Sequence, residues 1–293
     1  MNKVVVIGGS GFMGSHTADV LSDRGFSVVL FDRKRSPWLR DDQEMIIGDI
    51  LDRDAVLEAV DGAKYLYHFA GTADIKEAKD KPLNTININV MGATIAAQAA
   101  VDAGVERLVY ASTMYVYSSY GSFYRASKQA SEIIIEAYQE QFDLNYTFLR
   151  YGSLYGPRAQ VWNGLRRYVD QVVRNGKLDY WGTGKERREY IHVYDAARLS
   201  VDVLDEAHKN KAITVTGHQA LSSNELIDLI FEIAGKERMV DYGGGDEYQG
   251  HYVMTPYRYT PKQAKKLVPN EFIDLGEGIL KVVEEIYKEI QGN

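Results

Sequence analysis

The first fourteen residues constrain this chain more than any other stretch. Lys3, Val4, Val5, Val6 and Ile7 form a β-branched run that reads as a buried parallel strand. Gly8-Gly9-Ser10-Gly11-Phe12-Met13-Gly14 follows at once, and Ala18, Val20 and Leu21 then carry a helical stretch. The glycines of this G-x-x-G-x-x-G turn permit a tight bend and close approach of backbone N–H groups to a pyrophosphate at the helix start. Gly8, Gly11 and Gly14, with the backbone of Phe12 and Met13, are therefore candidate contacts to a dinucleotide.

The next strand, residues 27–31, ends in Asp32, about eighteen residues beyond Gly14. A carboxylate there accepts hydrogen bonds from adenine-ribose hydroxyls and repels a 2′-phosphate, which argues for NAD rather than NADP. Arg33-Lys34-Arg35 alongside brings opposing charge. Further strands are expected at 45–47, 65–69, 108–111 and 146–149, with helices at 54–60, 88–103 and 126–141. Alternation of this kind specifies an α/β fold, a Rossmann-type doubly wound parallel sheet covered on both faces. Ligands of such sheets lie beyond the carboxyl ends of the strands. Asp32, Asp49-Ile50, Phe69-Ala70-Gly71, Ser112-Thr113 and Tyr151-Gly152-Ser153 stand at those ends.

Past Arg150 the texture changes. A basic amphipathic helix is expected over 162–175, a strand over 190–193, and a helix capped by Asp195 that runs to about residue 207. A short strand at 212–215, a capping box from Ser222 and Glu225, a glycine-rich loop at 242–246 and a closing helix at 276–290 follow. The division expected is a dinucleotide-binding domain of residues 1–157 with about 188–210. A smaller C-terminal α/β substrate lobe would take 158–187 and 211–293. The net charge of −7 disfavours nucleic acid and membrane surfaces as partners, and the absence of cysteine excludes disulfides and thiolate metal sites. No bound metal is expected. No apolar run approaches a membrane span, and the short apolar N-terminal run breaks into glycines, so a cytoplasmic location is expected.

Within 113–128, Tyr124 and Lys128 are four residues apart and share one helix face. A phenol normally ionises near pH 10, and a lysine beside it would lower that value toward a working acid/base. His192, inside a strand, reads as structural; His68, at a strand's carboxyl end, is not assigned to catalysis.

These elements together resemble the extended short-chain dehydrogenase/reductases, and among them the NAD-dependent nucleotide-sugar epimerases and dehydratases. The resemblance is carried by the glycine turn, Asp32, Gly48-Asp49-Ile50, His68-Phe69-Ala70-Gly71, Asn89-Val90-x-Gly92 and Ser112-Thr113-x-x-Val116-Tyr117. It continues through Tyr124-x-x-x-Lys128, Leu149-Arg150-Tyr151, Tyr155-Gly156-Pro157-Arg158 and the run at 182–193. It implies that Tyr124 is the base toward a sugar hydroxyl, most often at C4. Lys128 would hold the nicotinamide ribose, and Thr113 would bond the same hydroxyl. It places Asp49 and Ile50 at the adenine, and Phe69, Ala70, Gly71 and Asn89 along the cofactor, with Arg33, Ser112 and Tyr151 added to its contacts. For a nucleotide-diphosphate sugar it implies Ser153, Asn163, Tyr180, Trp181, Arg188 and Arg258, with Arg188 clamping the diphosphate and Trp181 stacking on the base. It also implies a homodimer through the helices at 88–103 and 126–141.

Four departures bear on the activity. The 4,6-dehydratases carry Thr-Asp-Glu where this chain has Thr113-Met114-Tyr115, so the acid and base for eliminating water are missing there. Only ten residues separate Thr113 from Tyr124, which implies a more open or reshaped sugar pocket. Gly152 and Ser153 replace an aromatic residue and an asparagine, and Gly250 or His251 stands where a second phosphate-binding arginine is expected. The expected activity is NAD-dependent nucleotide-sugar epimerisation at C4 through a transient 4-keto sugar. The alternatives are a 4-dehydrogenase or ketoreductase on the same substrate class, then a 4,6-dehydratase, and last a non-enzymatic dinucleotide sensor.

Overall fold

Alternate residues of the first strand face opposite apolar layers, and that pattern organises the whole sheet. The structure, a computed structural model, describes residues 2–218, 220–243 and 251–257. Arg258, the closing helix and most of the glycine-rich loop lie outside those residues. In chain order the first half comprises β1 (Lys3–Ile7), α1 (Phe12–Asp23), β2 (Ser27–Asp32), β3 (Gln43–Ile47), α2 (Arg53–Val60), β4 (Tyr65–His68), α3 (Ile75–Asp80), α4 (Pro82–Ile86) and α5 (Gly92–Asp102). β5 (Arg107–Thr113), α6 (Ser122–Phe142) and β6 (Tyr146–Tyr151) complete it. Val4 and Val6 pack with α1 and the later helix α8 (Val193–Asp202); Val5 and Ile7 pack with α2, α5 and α6. Both faces are buried, as a parallel sheet requires.

The sheet has seven strands in the order β10-β6-β5-β4-β1-β2-β3, all parallel, with β10 at Lys211–Val215. The order reverses between β1 and β4, whose ends are in register at Ile7 and His68. That reversal opens a crevice at the carboxyl ends. β10 belongs to this sheet, not to the lobe that the sequence division gave it. Its placement depends on contacts to β6: Asn210 donates its backbone N–H to the Tyr146 carbonyl, and its side chain accepts from the Tyr146 N–H.

Three helices differ from expectation. The helix expected over 88–103 is preceded by α4 and a π-helical turn, Asn87–Met91, before α5. Asn89 lies in this turn and is buried, and π-turns inside helices often mark functional positions. α6 starts at Ser122, so Tyr124 lies in its first turn. α8 is capped by His192, whose Nδ1 accepts from the Tyr194 N–H at 3.3 Å; Asp195 is inside the first turn.

The remaining elements are β7 (Ser153–Tyr155), α7 (Gly164–Asn175), β8 (Leu178–Tyr180), β9 (Arg187–His192), β11 (Ala220–Ser222), α9 (Ser223–Ile233) and β12 (Val240–Tyr242). They form a three-stranded sheet, β11-β9-β7, and a pair, β12-β8. Val172, Leu178, Tyr180, Leu226, Ile227, Ile230 and Phe231 make a separate small core there. The Ser222–Glu225 capping box starts α9. Among the described residues no helix is long and apolar enough to cross a membrane.

Beneath the carboxyl ends lies a buried ion pair. Glu132 of α6 accepts from Arg150 Nε at 2.9 Å and Nη2 at 2.6 Å, and from Ser112 Oγ at 2.5 Å. Arg150 also donates to the Tyr117 hydroxyl. Glu132 and Arg150 are both buried, so removing one leaves an uncompensated charge. Glu132→Ala is expected to lower unfolding free energy by about 3–5 kcal/mol in urea denaturation.

His68 ends β4 with both ring nitrogens buried and, among the described residues, unpartnered; its ring is 5.5 Å from that of Tyr110. Burial, and secondarily the Lys128 ammonium, lower its pKa from 6.5 to about 3. The unfolded chain takes up this proton as pH falls below 6.5, whereas the folded chain resists until about 3. The stabilisation is therefore complete above pH 6.5 and is lost as pH falls through that window. His68→Phe should flatten the acid limb of stability, by up to about 1.4 kcal/mol per pH unit, in urea midpoints compared at pH 6.5, 5.5 and 4.5.

Candidate active site

One continuous cleft of about 1570 Å³ runs across the carboxyl ends of β1, β2, β4, β5 and β6 and on to β7, α7 and β9. Single small-molecule sites usually occupy about 300–1,000 Å³, so this one has room for two ligands end to end.

The glycine turn forms one end. A Cβ at Gly14 would lie 2.1 Å from the Gly8 carbonyl oxygen, and one at Gly8, where φ is +81°, would lie 2.5 Å from the Ala70 nitrogen. The turn is closed so tightly that only glycine fits at both positions. Phe12 and Met13 open α1 beside it, where helix-start N–H groups lack intrahelical acceptors. Asp32 accepts from the Ser10 N–H at 3.1 Å and the Lys34 N–H at 3.3 Å, which ties the turn to the end of β2. Gly11, Arg33, Asp49, Ile50, Phe69, Ala70 and Gly71 also line this end. Backbone donors for a pyrophosphate, a fixed carboxylate and an apolar slot fit a dinucleotide of the NAD type.

Tyr124, Lys128 and Thr113 all line the cleft. Thr113 ends β5 and its Oγ1 accepts from the Tyr115 N–H, starting a 3₁₀ turn at Met114–Tyr117. Its side chain faces Tyr124 closely enough to lower that phenol's pKa. Lys128 is buried; its Nζ donates to the Ala111 carbonyl at 2.7 Å and lies 4.6 Å from the Tyr110 ring centroid. Burial lowers the Lys128 pKa to about 8, with Glu132 pulling it back up. The lowered Tyr124 pKa expected from the tyrosine–lysine spacing is not found in the protein alone. Burial raises it to about 12, against the opposing effect of Thr113 and with Tyr252 adding to the rise. Lys128 instead directs its ammonium to the Ala111 carbonyl.

Several candidates serve the framework. Asn89 is buried outside the cleft lining; it accepts from the Thr72 N–H at 2.7 Å and donates to the Thr72 carbonyl and Ser127 Oγ. It locks the β4 exit loop to α6 and does not touch the cleft. Ser112 and Tyr151 reach the cleft, but their hydroxyls bond Glu132 and Ser200 below it. Tyr180, expected at the substrate, is buried in the lobe and donates to Glu186 at 2.8 Å. Asn163 lines the cleft while capping α7 through the Arg166 N–H and donating to the Leu154 carbonyl. Gly152 is required by close packing: a Cβ there would lie 2.2 Å from Thr216 Oγ1.

At the lobe end, Ser153, Trp181 and Arg188 line the cleft, and Trp181 is half-exposed. The Arg188 guanidinium sits 5.3 Å from the Tyr252 ring centroid. Sequence reasoning missed Arg167 of α7 and the grouping of Tyr115 and Tyr252 with His251, which it noted only as standing where an arginine is expected. The segment at 251–257 runs along β9: Val253 accepts from the Arg187 N–H, and Thr255 Oγ1 accepts from the Glu189 N–H. Tyr115 Oη and His251 Nδ1 are 2.5 Å apart. No local pattern in the sequence joins residues so distant. Among the described residues no group of three acidic or histidine side chains is placed to hold a metal ion.

Comparison with known proteins agrees with this geometry. Residues 4–216 match the profile of the NAD dependent epimerase/dehydratase family. The chain is 27% identical to a UDP-glucose 4-epimerase of Corynebacterium glutamicum, over 80% of each chain. It is 26% identical to a dTDP-D-glucose 4,6-dehydratase of Mus musculus, over 96% of this chain and 88% of that one. The crystal structure of a Thermus thermophilus UDP-glucose 4-epimerase in complex with NAD superposes with a TM-score of 0.79 at 24% identity, over 88% and 90% of the two chains.

Proposed function

We propose that this chain, which belongs to the NAD dependent epimerase/dehydratase family, epimerises a nucleotide-diphosphate sugar at C4 through a transient 4-keto sugar. The observation that carries this reading is that Tyr124, Thr113 and Lys128 line the same cleft as the glycine turn, and that the cleft has room for two ligands. Met114 and Tyr115 stand where the dehydratases place carboxyl groups, which favours epimerisation over loss of water.

The residues would divide the work as follows. Gly8, Gly11, Gly14, Phe12 and Met13 hold the pyrophosphate of NAD, Asp32 the adenine ribose, and Lys128 the nicotinamide ribose. When bound, NAD supplies a hydride acceptor and donor and a positively charged ring. Tyr124 takes the proton of the C4 hydroxyl and later returns it, and Thr113 steadies the same oxygen. The phenol of the protein alone, raised to about 12, is protonated at neutral pH. Positive charge arriving in the cleft is what makes it a base. Arg188 clamps the diphosphate with its planar donors, and Trp181 stacks on the base.

A homodimer is part of the same reading. The buried face of α6 is Ser127, Lys128, Ser131, Glu132 and Ile135, while Ile133, at 65% exposure, points outward. That outward face, with Phe142 and Phe123 exposed near its ends, suits a second subunit.

The test is direct. NAD should be released on denaturing the purified protein. A panel of UDP-, GDP-, CDP- and dTDP-sugars should yield an isomer of unchanged mass by NMR and mass spectrometry. Loss of water would support the dehydratase, and net change in cofactor oxidation state the dehydrogenase. Tyr124→Phe should cut turnover by about 10²-fold or more; full activity in that variant would refute the mechanism.

A further inference from the structure

The charges that line the cleft are sorted by sign. Its carboxylates, Asp32, Asp49, Asp74, Glu77 and Asp80, all come from the first half of the chain. From Tyr151 onward the lining holds two arginines, Arg167 and Arg188, and no aspartate or glutamate. α7 carries three arginines, and the protein itself satisfies two of them. Arg166 donates to the Ala159 carbonyl, and Arg174 Nε donates to Asp170 at 2.6 Å. Arg167 has neither kind of acceptor among the described residues; its exposed guanidinium lies 5.7 Å from the ring centroid of Tyr168.

Arg167 of α7 and Arg188 of β9 converge on one ring. After burial, Arg188 and then Arg167 lower the His251 pKa to about 4. His251 is therefore neutral at ordinary pH and adds no positive charge where the sequence comparison expected an arginine. Two guanidiniums near one neutral ring repel each other, in a chain whose net charge is −7. An anion that enters between them removes that repulsion and is drawn to this end of the cleft.

We infer that Arg167 is the second arm of the diphosphate clamp, working with Arg188, so that α7 supplies the guanidinium that position 251 lacks. The inference rests on the reading of Arg188 given above and deepens it. The diphosphate of a nucleotide sugar carries one negative charge on each phosphate. Two guanidiniums match both charges, and the planar fork of each can take two phosphate oxygens. Arg167 is a binding residue in this role and takes no part in proton or hydride movement.

The experiment is a calorimetric titration of UDP, GDP, CDP and dTDP into the purified full-length protein with NAD added. The nucleotide that binds wild type most tightly should lose at least about tenfold in affinity with Arg167→Gln, the loss of one charge-assisted contact. Arg167→Glu should lose more, because it reverses the charge. Arg167 is exposed, so both variants should keep the wild-type melting temperature; if one does not fold, the other decides. A graded loss of this kind supports the inference, since a merely structural role would not follow the charge. A loss below about threefold in both variants overturns it, being less than one such contact contributes. Loss in Arg258→Gln with none in the Arg167 variants also overturns it. Wild type that binds none of the four nucleotides refutes this inference and the proposed function together. Arg167-dependent binding without isomerised sugar refutes the proposed function alone; isomerised sugar with Arg167-independent binding refutes the clamp alone.

Discussion

The buried pair of Glu132 and Arg150 holds together the part of the molecule that matters for chemistry. Glu132 belongs to α6 and Arg150 to β6; Ser112 of β5 and Tyr117 of the following turn complete the group. Four segments that contribute to the cleft are thereby fixed to one another just below it. Two charges out of water are costly on their own, and the bidentate geometry with added hydrogen bonds offsets that cost. Glu132 also pulls up the pKa of Lys128, one helical turn away, and so helps keep an ammonium in a buried position.

α6 turns a polar face inward for this reason. Ser127, Lys128, Ser131 and Glu132 are buried, and each is tied to a neighbour: Ser127 to Asn89, Lys128 to the Ala111 carbonyl, Ser131 to the Asn89 carbonyl. Periodicity alone would have turned Ile133 and Ala137 to the core. The inversion presents Tyr124 and Lys128 to the cleft that opens at the reversal of strand order. The polar face is stabilised by its network, and Ile133 stays exposed on the opposite side.

Much of the site was legible because its signals are local. The glycine turn, Asp32 and the spacing of Tyr124 and Lys128 each belong to one short segment, and the cleft brings them together. Other side chains have a partner that the sequence does not show. Tyr180 turned to Glu186, Asn89 to the Thr72 backbone, and the Tyr151 hydroxyl to Ser200. The shortened loop before Tyr124 was expected to open or reshape the pocket. Tyr115, His251 and Tyr252 line the cleft, and His251 and Tyr252 arrive from a distant segment.

The sequence by itself determined the α/β class, the glycine-lined end of the cleft and the placing of Tyr124 and Lys128 on one helix. These follow from strand periodicity, from glycines that only a tight turn requires, and from contacts a few residues apart. Tertiary structure alone decided that β10 joins the large sheet and that Lys128 spends its ammonium on a carbonyl. It also decided that Tyr124 titrates high in the protein alone, and that a tyrosine and a histidine over a hundred residues apart share a hydrogen bond. The physical reason is the same in each case. Burial and long-range hydrogen bonding set the energies of polar groups, and neither is a property of a segment read alone.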